Sequence, residues 1–161
     1  MPNIELIQTE LLNDQLRGLI NAAPMMSLDE GTVDAATAQA LASWLKAEHQ
    51  ISPACQAGLW MLAGDLERSH EISQKIDSAD GAFWHSIMHR REGDYDNARY
   101  WLRRVGSHRV IDQLIDQSAD YRSPFEFLSR VEQAVVKQTK RHELLEHIQW
   151  IEWQLLFMHC W

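Results

Sequence analysis

His85, His89 and Glu92 are spaced so that a helix would present all three on one stripe about 60° wide. Two imidazoles and a carboxylate on one stripe could ligate zinc or iron, with His108 or Asp94 as further donors. HxxxH lacks the adjoining glutamate of the HExxH signature, so its specificity as a metal motif is weak. The same histidines could instead occupy interhelical packing positions and hydrogen-bond a neighbouring helix, or act as acid–base or ligand-binding groups. On sequence alone these readings stay open, and no catalytic residue is assigned.

A second chemistry overlaps the first. Arg90 and Arg91 sit directly beside the histidine stripe, and Asn97, Tyr100 and Trp101 follow within three turns. Arg99 and Arg103 are i, i+4 neighbours, as are Tyr100 and Arg104. Guanidinium groups with His89 and aromatic walls could hold a carboxylate or phosphate. The plainer alternative pairs these arginines with Glu92, Asp94 and Asp96 on a solvated face, each pair contributing about 0.3–0.5 kcal/mol.

Elsewhere the chain offers little chemistry. It has no GxSxG, Walker loop, dinucleotide fingerprint or EF-hand loop. Cys55 has no adjacent histidine, and Cys160 lies in an apolar segment where a buried structural thiol is expected. His142 and His147, with Glu143 and Glu146, read as the wet face of the last helix.

The elements that must position these residues read as helices throughout. Apolar residues recur at helical spacing and β-branched alternation is absent. A first amphipathic helix is expected over Ile4 to Ile20, and a second over Val33 to Lys46, capped within Asp29 to Thr32. Ser52-Pro53 and Ser123-Pro124 each read as an N-cap followed by proline at the first helical position. A last helix, roughly Lys140 to Cys160, is apolar and aromatic almost all round, so it is either central to the core or covered by another subunit.

Two segments repeat at an offset of 29 residues, from Gly64-Asp65-Leu66 to Gly93-Asp94-Tyr95. The second copy, Gly93-Asp94-Tyr95-x-x-Ala98-x-x-x-Leu102, resembles the turn and second helix of a tetratricopeptide repeat. That resemblance implies a glycine closing one helix, an aspartate capping the next, and a small residue where the two helices touch. The usual period is ~34 residues, so the shorter offset implies shortened helices or a tighter turn. The longer string Trp84-His85-x-x-x-His89-Arg90-Arg91-Glu92-Gly93-Asp94-Tyr95-x-Asn97-Ala98-x-Tyr100-Trp101-x-Arg103-x-Val105-Gly106-x-His108 closely resembles the mark of a family of small helical bacterial proteins. It implies kinship and no mechanism.

Composition bounds the rest. With 161 residues, 45% of them apolar, the chain is expected to be one domain over residues 1–161, without disulfide or metal staples. Its net charge of −8 disfavours nucleic acid as a partner. Six arginines between His89 and Arg109, against three acids, leave room for a local anion site. The first twelve residues have no basic n-region, and no run approaches the ~20 apolar residues of a membrane span. A cytoplasmic location and no membrane partner are therefore expected. The expected fold is all-α, a compact helical bundle with one or two tetratricopeptide-like hairpins. The expected function is a helical ligand-binding or protein-interaction module with its site at residues 84–108, taking a small anion or an unknown protein. The alternative is a small metal-dependent enzyme using His85, His89 and Glu92. Homodimerisation through the aromatic last helix is a further expectation.

Overall fold

Capping side chains set most of the helix boundaries in the computed structural model, which describes residues 9–47, 51–137 and 142–161. After a short 3-10 turn at Thr9–Leu11, these residues form α1 (Asp14–Ala22), α2 (Ala35–Ala47), α3 (Pro53–Leu62), α4 (Leu66–Ser73) and α5 (Ala79–Glu92). They continue with α6 (Tyr95–Val105), α7 (Arg109–Gln117), α8 (Pro124–Val136) and α9 (His142–Cys160). There is no strand among the described residues, and no helix is long and apolar enough to cross a membrane. The protein is an all-α bundle.

Ser52 and Ser123 cap α3 and α8 as the Ser-Pro pairs predict, accepting hydrogen bonds from Cys55 N and Glu126 N, each at 3.1 Å. The first expected helix is interrupted. Asn13 adopts an extended conformation and accepts from Leu16 N at 2.8 Å, so α1 begins at Asp14 inside the apolar pattern. A local cap wins over the longer period, because an asparagine oxygen satisfies a backbone N–H that would otherwise lack a partner. The part of that expected helix before residue 9 lies outside the described residues, as does the start of the last expected helix. The second helix starts two residues later than expected, with Asp34 accepting from Thr37 N at 2.8 Å.

The 29-residue repeat is reproduced in the backbone. Gly64 and Gly93 end α3 and α5 at φ +79° and +85°, a left-handed conformation cheapest for glycine. In both copies the following aspartate N–H reaches back to the carbonyl five residues earlier, Asp65 to Trp60 and Asp94 to His89, each at 2.9 Å. Both aspartates then cap the next helix, accepting from Arg68 N and Asn97 N at 3.1 Å. Ser69 and Ala98, at equivalent positions, are fully buried where the paired helices touch. Both helices of the first copy are shorter, α3 and α4 having ten and eight residues against fourteen and eleven in α5 and α6.

Two helices run through the core. Every residue of α5 from Gly81 to Arg91 is buried, and so is every residue of α9 from Ile148 to Phe157. The α9 surface that suggested a partner subunit is therefore spent inside the fold, with Trp161 left 43% exposed at its end. Trp150, Trp153 and Phe157 stack along α9 at 5.1 and 4.9 Å, and Trp153 Nε1 donates to Gly58 O at 2.8 Å. A Cβ on Gly58 would lie 2.7 Å from the Trp84 ring, so glycine lets α3 approach α5 at this crossing. The polar residues of both core helices must then find partners internally. Arg90 of α5 pairs with Glu152 of α9 at 2.5 Å and with Gln149 Oε1 at 3.1 Å, all three buried. Arg91 donates to Ser27 O at 3.0 Å and Met61 O at 2.8 Å, fastening the segment between α1 and α2.

Candidate functional site

Because α5 is buried all round, His85 and His89 sit in the interior, at 3% and 5% exposure. They are one turn apart on the side of α5 where α4 and α6 pack. Trp101 of α6 stacks on His85 at 4.0 Å, and the His85 and His89 rings lie 4.7 Å apart at 16°. His70 of α4 completes the group, with its ring 4.8 Å from His85 and 5.2 Å from His89. One ring nitrogen from each of the three lies within 4.8 Å of the other two.

The two α5 histidines differ in their bonding. Neither ring nitrogen of His85 has a hydrogen-bond partner among the described residues. A neutral imidazole has one N–H and one lone pair, and leaving each unmet in the interior costs about 1–3 kcal/mol. Burial, then the neighbouring His89 and His70, hold its pKa down to about 3, so the ring is neutral with its lone pair available. His89 Nδ1 lies 2.7 Å from Glu92 Oε1. A carboxylate can only accept, so Nδ1 bears a proton, and in the neutral ring Nε2 keeps the lone pair. That is the carboxylate–histidine arrangement which orients imidazoles on metals. Both histidines occupy interhelical packing positions, as the simpler alternative expects, but among the described residues neither ring is hydrogen-bonded to a neighbouring helix.

The remaining predicted residues are placed as follows. Glu92 holds His89, and the two form with Asp94 a further group of possible ligand atoms within 4.8 Å of one another, while His70, which the sequence did not point to, joins His85 and His89. Asp94 and Asn97 form an exposed cap pair, with Asp94 Oδ1 accepting from Asn97 N and Oδ2 from Asn97 Nδ2 at 3.1 and 3.2 Å. Trp101 is part of the site, while Tyr100 is 48% exposed and touches the Trp101 ring edge-on. Arg90 turns away from the histidines to Glu152. Arg99 pairs with Glu132 and lies 3.4 Å from Asp96, and Arg104 covers Trp101 at 5.2 Å, 3.8 Å from Asp77. Arg103 is exposed. The arginines are not gathered into one anion pocket.

His108 belongs to a second group, with Asp80 of α5 and His159 of α9. Val110 N–H donates to His108 Nδ1 at 3.2 Å, which caps α7 and uses that lone pair. Nε2 must then carry the proton, and it donates to Asp80 Oδ1 at 2.9 Å. With both nitrogens engaged, His108 has no lone pair left for an ion. His159 Nε2 approaches the same oxygen at 3.2 Å. Burial, with Asp80 nearby, pushes the thiols at this end of the bundle up, Cys55 to about 11 and Cys160 to about 12. They are protonated and not activated as nucleophiles.

His70, Asp80 and His159 were not singled out by the sequence reading. The usable signal for His70 was the repeat, because the second helix of one hairpin packs on the first helix of the next. Nothing local in Glu67-Arg68-Ser69-His70-Glu71 marks that residue. No family model, no characterised protein and no solved structure matches the chain.

Proposed function

We propose that the chain is a helical ligand-binding module whose ligand is a late first-row divalent metal ion held by His70, His85 and His89. One observation carries this reading: a buried imidazole with two unmet nitrogens lies between two further imidazoles, one already oriented by a carboxylate. An ion coordinated by His85 uses the stranded lone pair, and Glu92 fixes the His89 tautomer that binding requires. Three nitrogen donors suit zinc, copper, nickel or iron, whereas magnesium and calcium demand oxygen. Tetrahedral coordination needs nitrogens about 3.3 Å apart, so the 4.8 Å group must draw in. His70 is the ring placed to move, being only partly buried and on an α-helix of eight residues.

Calorimetry on chelator-stripped protein tests this, with zinc and nickel as titrants and His70→Ala, His85→Ala and His89→Ala as controls. One equivalent is expected per chain, lost in each variant, with Glu92→Gln weakening affinity about 10–100-fold. Absence of binding to the wild-type chain, or equal binding by all three alanine variants, refutes the proposal.

A further inference from the structure

We infer that an ion in this site keeps one exchangeable coordination position, and that the position takes small anionic ligands such as carboxylates or azide. The inference rests on the metal reading above and concerns what that ion does next. Three donors converge in this group among the described residues, and the further group that shares His89, with Glu92 and Asp94, includes neither His70 nor His85. Of the nearby carboxylates, Glu92 holds His89 Nδ1–H through Oε1, and both oxygens of Asp94 accept from Asn97. The thiols lie at the other cluster, near Asp80. A divalent ion with three protein ligands completes a tetrahedron with solvent or substrate, as in open sites rather than structural ones.

The geometry also says which way the position faces. Trp101 covers one face of His85, and His89 lies against the other. His85 and His89 are buried, whereas His70 and Trp101 are part-exposed and Glu92 is exposed. The open quarter therefore points outward between α4 and α6, past His70. Three neutral imidazoles leave the ion its full double positive charge, so an anion is favoured over water there. The step is a simple ligand exchange: a water leaves the ion, an anion's lone pair takes its place, and no electron moves. Trp101 forms an apolar wall beside the position and suits ligands with a flat or carbon-rich part.

Cobalt(II) makes the position visible, since its d–d bands change with coordination number and ligand. The full chain, stripped of metal, is titrated with cobalt(II) and then with azide and acetate. Saturable changes in the bands with one anion per cobalt are expected, and they should be absent in His70→Gln. That variant alters a part-exposed residue on a two-turn helix, and its circular dichroism should match the wild type. Cobalt bands that form at one equivalent but ignore both anions overturn this inference and leave the metal reading standing. Failure of the wild-type chain to bind cobalt, nickel or zinc overturns both.

Discussion

His85 carries most of the chemistry because of what it lacks. Its ring is stacked on both faces but hydrogen-bonded at neither nitrogen, and burial holds its pKa near 3. In the unfolded chain the same group titrates near 6.5. Between those values the unfolded state binds a proton that the native state does not, so the stability linked to His85 is complete above about pH 6.5 and is lost as pH falls towards 3. The slope contributed is up to about 1.4 kcal/mol per pH unit. Urea denaturation of stripped protein between pH 4 and 7 should therefore be steeper in pH for the wild type than for His85→Phe. Equal slopes would mean that His85 titrates normally in the fold. His89 differs through a single contact, since Glu92 supplies the acceptor that His85 never meets.

At the scale of helices, the position of α5 is set by close approaches rather than by its own sequence pattern. Gly58 makes one of these, pressed on the Trp84 ring while its carbonyl receives Trp153. A methyl group there meets a rigid indole, so Gly58→Ala should lose about 1–3 kcal/mol despite alanine's better helix propensity. Thermal denaturation would read this as a lower Tm, and an unchanged or raised Tm would mean that the helices can separate at little cost. Much at this scale was legible in the sequence. Ser52-Pro53, Ser123-Pro124 and the two Gly-Asp turns act over three to five residues, so their signals survive any tertiary context. The break at Asn13 was missed because the apolar period continued through it. The histidine stripe on α5 was legible by periodicity. Its third member was not, since His70 joins it only through the packing of α4 on α5.

The whole molecule is tied together by charges that its core would be expected to avoid. Arg90, Glu152 and Gln149 join α5 to α9 across about 60 residues of sequence, and Gln149 and Arg91 both reach the carbonyl of Ser27. No local pattern announces such a pairing, so Arg90 read from sequence as a ligand-binding group beside the histidines. Removing one partner strands a buried charge: Glu152→Leu should cost about 3–5 kcal/mol. Replacing both, as Arg90→Met with Glu152→Leu, should recover much of that loss. Denaturation midpoints of the two variants check this, and a double variant no more stable than the single one would point to a role beyond charge compensation. The two hairpins carry a different lesson. They share one turn, glycine then aspartate, with the same torsion and the same bonds. Counted back from that turn, Gln56 and Trp60 occupy the places of His85 and His89, and Ala63 that of Glu92. The frame is thus indifferent to the cargo its first helix bears. This chain holds, side by side, a blank copy and an inscribed one of the same device.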